Sequence, residues 1–393
     1  MQASKLLQKT ILKSCNIHQK RLEALMAMSK SLVENHDLSI VGLGRGISNH
    51  AKDKSNINRA DRLVGNELLY NEALDIQSAL AELVLGNKTR PLILVDWSSA
   101  TVAERYQLLR AALPLGGRAI TIYEEVHPLS KYNNRIVHKE FLENLQKVLP
   151  KNCKPIIVTD AGFGIPWFKE VLRMRWDFVG RIINNSYYQL AGEENWKSMT
   201  ELLAYKKEKV KRLGKVKLSK RTEFECYLQV YKGKHKGRVR KNAYGDKASR
   251  SVSKRCAKSA RNAWVLVHSL GDKHVVSEKV IKIYSSRMQI EESFRDIKNP
   301  RYGFGLRHSR TLGVIRLTNL FLIGLIGILL AWLMGLCAQA HNLHRSFQTN
   351  SVKNRTVLSI FFIGCLAAKK GINFLKKELL DALIIIQELA YVF

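Results

Sequence analysis

PLILVDWSSATVAERYQLLRAALPLGGRAITIYEEV, residues 91–126, is the stretch whose reading decides the fold. It contains three apolar runs of strand length: PLILVDWS, RYQLLRAALPL and RAITIYEEV. Gly116-Gly117 between the second and third supplies the backbone freedom of a tight hairpin. NNRIVHKEFLENLQKVL (133–149) then repeats its apolar residues at helical spacing, which predicts a helix over about 131–148. KPIIVTDAG (154–162) reads as a buried strand, residues Trp167 to Leu172 as a short helix, and DFVGRII (177–183) as a fifth strand. Three antiparallel strands followed by two that alternate with helices make a mixed α/β layout. The first and fourth strands read as central, and each is expected to end in an aspartate, Asp96 or Asp160.

The flanking sequence differs in texture. Residues 1 to about 70 are basic and helical in pattern, with MQASKLLQKTILKSCNIHQKR reading as an amphipathic helix and no secretory signal. A connection is expected at Gly42-Leu43-Gly44-Arg45, then a helix capped by Ser55 and running to Leu63. A helix-turn-helix there would offer Arg45, Lys52, Lys54, Arg59 and Arg62 to phosphates; a solvated bundle face is the plainer alternative. Downstream, KKEKVKRLGKVKLSKR (206–221) and KGKHKGRVRKNAYGDK (232–247) read as basic loops enclosing the strand FECYLQVYK, a β-rich insertion. AWVLVHSL (263–270) restores strand texture, and one long helix is expected from about Ser277 to Asn299. The expected division is 1–75 helical, 76–183 first part of an α/β core, 184–260 basic insertion, 261–345 second part of the core, and 346–393 C-terminal helical region.

Composition narrows the partner. Lys and Arg outnumber Asp and Glu by 65 to 33, a formal charge of +32, far beyond what solubility requires. A polyanion is implied; charge alone leaves nucleic acid and an anionic membrane both open. Leu320 to Ala338 is uncharged over 19 residues, the length of a membrane span. Its three glycines and its place directly after the most chemically loaded helix favour a buried core helix, broken near Gly335, and no membrane partner. Six scattered cysteines without a C-x-x-C pair point to a reducing cytoplasm and away from a structural zinc.

The chemistry concentrates in YSSRMQIEESFRDIKNP (284–300). At about 100° per residue, Tyr284, Arg287, Glu291, Arg295 and Lys298 fall on one face of a helix, while Ile283, Ile290, Phe294 and Ile297 form a separate apolar stripe. Glu292 and Asp296 point elsewhere. Such a face could be an ordinary exposed surface with an i,i+4 pair of Arg287 and Glu291. Two aspartates at the ends of apolar strands give Glu291 a different meaning, because carboxylates in a basic protein can hold hard divalent cations for phosphodiester chemistry.

The spacing Tyr284, Arg287, Glu291, Lys298 resembles the tyrosine-arginine-glutamate-lysine signature of bacterial insertion-sequence transposases of the DDE class, the cut-and-paste type. LVDWS around Asp96, VTDAGF around Asp160 and YGFGLRHSRT (302–311) resemble further blocks of that family. The resemblance implies a ribonuclease-H-like core with a β insertion and an N-terminal domain that binds the transposon end. It implies that Asp96, Asp160 and Glu291 are catalytic and ligate two Mg2+ ions, with Mn2+ as a substitute. Tyr284, Arg287 and Lys298 would hold DNA near the cut, and Arg307 and Arg310, with His308 between them, would contact it from a loop. Trp264 either stacks on a base flipped out during hairpin formation or is a core strand residue. The implied partners are double-stranded DNA, as terminal inverted repeats and target, and a second copy of the chain on paired ends. A noncatalytic DNA-binding descendant would not need all three carboxylates, and a simple nuclease would not need the signature.

Overall fold

The computed structural model describes residues 1–183, 187–207, 209–233, 262–349, 351–352 and 355–390. The chain divides into two compact units, Met1–Pro155 with Ser286–Phe393, and Ile156–Ser285.

The first unit opens with helices α1 (Gln2–Ser14), α2 (Gln19–Asn35), α3 (Ile40–Arg45), α4 (Asp53–Val64) and α5 (Glu67–Leu85). The amphipathic helix expected over the first 21 residues ends at Ser14, and Gln19 to Arg21 begin α2; within α1, Ala3, Leu7 and Ile11, four residues apart, are buried. The glycine-rich stretch expected as a connection is helix α3, because Ser39 caps it by accepting from the Gly42 N–H at 3.0 Å. Helix α4 starts two residues before the expected cap, with Asp53 in its first turn, so Ser55 lies inside it.

Strands β1 (Leu92–Ser99), β2 (Tyr106–Pro114) and β3 (Ala119–Pro128) follow as an antiparallel sheet with β2 in the middle. Gly116 and Gly117 have φ of 71° and 129°, and the Leu115 N–H donates to the Arg118 carbonyl at 2.7 Å, closing the predicted hairpin. Helix α6 (Arg135–Val148) is capped by Asn134 and packs Phe141 on Tyr123 of β3.

The second unit holds strands β4 (Ile156–Thr159), β5 (Asp177–Ile182), β6 (Tyr187–Leu190), β7 (Lys197–Ser198), β8 (Lys211–Leu218), β9 (Phe224–Tyr231) and β10 (Trp264–His268). Its helices are α7 (Gly164–Arg173), α8 (Met199–Leu203) and α9 (His274–Ser286). The strands run β4-β5-β10-β9-β8-β6-β7, with β4 parallel to β5 and the other neighbours antiparallel. Helix α7 lies on β5 through the stacked rings of Phe168 and Phe178. Part of the basic run 206–221, expected as a loop, is strand β8. Val216 and Leu218 alternate inward there, and Lys215 and Lys217 pair with Glu225 of β9 and Glu223 just before it at 2.6 and 2.8 Å. The second basic run lies almost wholly outside the described residues.

Back in the first unit come α10 (Met288–Lys298), α11 (Val314–Ala340), α12 (His344–Phe347), α13 (Ile360–Lys369) and α14 (Lys376–Leu389). The single helix expected from Ser277 to Asn299 is therefore two, meeting at Arg287. A serine pair sits at the junction, and the Ser285 hydroxyl donates back to the Ile281 carbonyl at 2.7 Å, a bond that loosens helices.

The apolar segment forms the core helix α11. It is apolar on all sides and buried along the whole of its most hydrophobic window, with no break at Gly335. Its one fully buried amide, Asn319, donates to the Val64 and Asn66 carbonyls at 3.0 and 2.8 Å, closing the end of α4. The described cysteines Cys15, Cys153, Cys226, Cys337 and Cys365 are all free thiols; Cys256 lies outside the described residues.

Candidate active site

Asp96 lies inside β1, three residues before its end, rather than at the strand terminus; Trp97 to Ser99 continue the pairing with β2. Alternation sends Asp96 and Ser98 to one face of the sheet and Trp97 to the other. On Trp97's side, the indole N–H donates to His138 Nε2 of α6 at 3.0 Å, and the rings of His127 and Tyr132 stand edge-on to it. Burial pushes His138 down to about 4, with His127 adding to it, so the imidazole stays neutral and able to accept.

On the Asp96 side lies α10. Arg287, at its N-terminal boundary, places Nη2 2.9 Å from Glu291 Oε1 and Nη1 3.5 Å from Asp96 Oδ2. The strand carboxylate and the helix carboxylate thus share one guanidinium. Glu291 occupies the first turn of α10, where the helix dipole favours a negative charge. One turn short of the far end, Phe294 packs inward, and Lys298 donates from Nζ to Ser98 Oγ at 2.6 Å. Burial first, then Arg110 and Arg307, push the Lys298 ammonium down to about 8, against the pull of Asp96 and Glu104.

The predicted apolar stripe is buried as expected, at Ile283, Ile290, Phe294 and Ile297. Asp296, expected to point away, is also buried, because Arg118 from the β2–β3 turn reaches it as an ion pair; burial pushes its carboxyl up to about 7. Arg295 pairs with Glu292 at 2.7 Å rather than joining the Glu291 face.

The remaining predicted residues fall as follows. Asp160 directly follows β4 in the second unit and accepts the Gly162 N–H at 2.8 Å, which turns the chain toward α7. Tyr284 is buried in the second unit, its ring edge-on to Trp264 at 5.0 Å; Trp264, half-buried, also meets Tyr231. Arg307 and His308 form part of a short 3-10 turn after α10 and, like Arg310, are exposed. Arg45 ends α3 and stands 3.9 Å from Asp53; on α4, Arg62 is exposed and Arg59 half-buried. Among the described residues, no group of three or more His, Cys, Asp or Glu is gathered to hold a metal ion. The pair Asp96 and Glu291 nevertheless suits a hard divalent cation in its chemistry: both donors are carboxylate oxygens, and a cationic group already stands between them.

Sequence reading missed Ser98, Arg110 and Glu124. The available signal was Arg110 itself, a lone cation inside the apolar run Leu108 to Leu113, where a buried charge requires a partner.

The described residues form a mixed α/β protein in which a strand carboxylate and a carboxylate of a helix's first turn face one guanidinium. Residues 88–329 match the family model of the transposase DDE domain, and the chain belongs to that family. It is accordingly a transposase, an enzyme of the nuclease and transesterase kind that acts on DNA, and the family uses divalent metal ions. A search of curated proteins finds no match.

Proposed function

We propose that the chain moves an insertion-sequence element by cut-and-paste, with Asp96, Asp160 and Glu291 as its catalytic carboxylates. The observation that carries this reading is the shared guanidinium: Asp96 and Glu291, 195 residues apart in sequence, both turn their oxygens to Arg287. Together with Asp160 they would hold two Mg2+ ions, or Mn2+ in their place. When bound, such ions lower the pKa of the attacking hydroxyl or water and neutralise the leaving oxygen.

The chain's own groups do the rest. Arg287, released from its two carboxylates, turns to a backbone phosphate as a planar bidentate donor, and Lys298 holds a second phosphate from its perch on Ser98. Tyr284 and Trp264 offer a ring pair for a displaced base. Arg307 and Arg310 extend the cationic edge, and residues 1–75, with Arg45, Arg59 and Arg62, grip the element's end. The strand at that end is nicked, its 3′-hydroxyl attacks the opposite strand to form a hairpin, water opens the hairpin, and the end joins target DNA. Two copies act together on paired ends in the cytoplasm, at the nucleoid.

The test is cleavage of a duplex carrying the gene's flanking inverted repeats. A nick at the repeat boundary followed by a hairpin, both requiring Mg2+ and stopped by EDTA, is the expected result; double-strand breaks without a hairpin would overturn the proposed pathway.

Lys298 adds a pH signature. Its ammonium in the folded protein sits at about 8 against 10.5 ordinarily, so it costs stability below pH 8, and that cost fades between those two values. The positive charge offered to DNA is present below pH 8 and lost above it. Affinity for the end duplex is expected to fall roughly fivefold from pH 7 to pH 9, on the order of one charge-assisted contact. Lys298→Arg should flatten that fall; an unchanged slope in titrations by fluorescence anisotropy would exclude Lys298 as the contact.

A further inference from the structure

Asp96, Arg110 and Glu124 stand directly opposite one another on β1, β2 and β3. Cross-strand partners share a face, so the three side chains form a row beneath α10. Arg110 is fully buried at the centre of that row. Its Nε donates to Glu124 Oε2 at 2.8 Å, and its Nη2 lies 2.7 Å from the same oxygen. Nη1 donates upward to Ser293 Oγ of α10 at 3.2 Å, and the guanidinium sits 4.7 Å from the centre of the Phe294 ring.

A buried ion pair is a poor device for stability alone, since apolar residues of similar volume typically serve as well or better. This one does what an apolar trio would not: by directional bonds it ties β2, the ladder partner of the strand of Asp96, and β3 to the helix of Glu291. Arg118 adds a second tie from the β2–β3 turn, reaching both Asp296 and the Glu292 carbonyl. The charge of Arg110 is also felt at the site's edge, where it helps lower Lys298.

We propose that Arg110, held by Glu124, is a positioning residue that fixes the helix of Glu291 over the strand of Asp96, so that the two carboxylates accept a divalent cation together. The proposal rests on the reading of Asp96 and Glu291 as metal-binding groups.

The test uses the full chain and Mn2+ alone, with free Mn2+ followed by electron paramagnetic resonance and the amides of residues 288–298 by hydrogen exchange. Three variants are compared with the parent: the double Arg110→Met, Glu124→Met, which leaves no charge unpaired; Ser293→Ala, which cuts the bond from Arg110 to the helix along with the hydroxyl's own bond to the Ile290 carbonyl and leaves Arg110 and Glu124 paired; and Glu291→Gln. The double variant is expected to melt at or above the parent temperature. It should bind Mn2+ about 10- to 100-fold more weakly, the range for groups that orient metal ligands, and exchange its α10 amides faster. Ser293→Ala should weaken Mn2+ binding by a smaller factor, about threefold to tenfold, on the order of one hydrogen bond, and it decides the matter if the double variant does not fold. Parent-like Mn2+ affinity in the double variant or in Ser293→Ala, with loss in Glu291→Gln, overturns the positioning role. Parent-like affinity in Glu291→Gln overturns the metal-binding reading, and the proposal with it.

Discussion

Replacing Asp96 by Asn, or Glu291 by Gln, is expected to slow cleavage of the end duplex by about a thousandfold or more while leaving duplex binding within a few fold. The magnitude follows from the chemistry these groups would hold in place: charge stabilisation by a bound divalent ion is worth several kcal/mol, and each 1.36 kcal/mol is about one decade of rate. Both substitutions keep shape. An amide oxygen in place of the Asp96 carboxylate would still accept the Trp97 N–H, which Asp96 Oδ1 accepts at 2.8 Å. An amide oxygen in place of the Glu291 carboxylate could likewise still accept from Arg287. A melting temperature close to the parent's would separate lost chemistry from lost structure. The pair also distinguishes two roles for the shared guanidinium: if Asp96 and Glu291 merely anchor Arg287 as a structural ion pair, either substitution lowers the melting temperature and cleavage survives. Single-turnover cleavage with gel analysis of nicked and hairpin products is the measurement. Cleavage at the parent rate by either variant would remove that residue from the active site.

Much of this arrangement is legible in the sequence. The three strands of 91–126 and their Gly116-Gly117 turn follow from run length and turn chemistry, and the buried stripe Ile283, Ile290, Phe294, Ile297 follows from helical period. The failures have a common cause: local pattern is blind to distant partners. Asp96 reads as the end of its strand because it closes the apolar run Leu92 to Val95, yet Trp97, Ser98 and Ser99 continue the ladder with Leu109, Leu108 and Gln107. The angle of Asp296 on the helix turns it away from the apolar stripe, yet Arg118 comes from a turn far upstream to meet it. The break at Arg287 leaves hydrophobic periodicity intact on both sides, so only the serine pair before it carries any sign. In strand β8 the lysines hide an alternation that Val216 and Leu218 still keep.

The other large expected effect concerns the crossing of α11 and α13. A Cβ built on Gly364 would overlap the Ala331 carbonyl, and one built on Gly335 would overlap the Ile360 carbonyl. These obstacles are backbone, so no rotamer change relieves them, and the helices must part. Gly335 reads from sequence as a point of breakage; in the structure it lies within an unbroken helix, where a second helix brings its backbone against it. The two accounts predict opposite signs. At a loosely packed helical glycine, Ala is favoured by about 0.5–1 kcal/mol through backbone entropy. At a backbone contact, overpacking costs about 3 kcal/mol, which for a unit of this size lowers the melting temperature by about 6–12 °C. Gly335→Ala and Gly364→Ala are each expected to show that loss by circular dichroism, and Gly364→Val a larger one. The effect should reach the proposed active site, because α11 also carries Gly324, whose bare backbone accepts Ile297 of α10. Helix α11 pushed off its place would loosen the floor beneath Glu291, and cleavage would fall at temperatures below the melt. A gain in stability on Gly364→Ala would mean that the helices do not approach this closely.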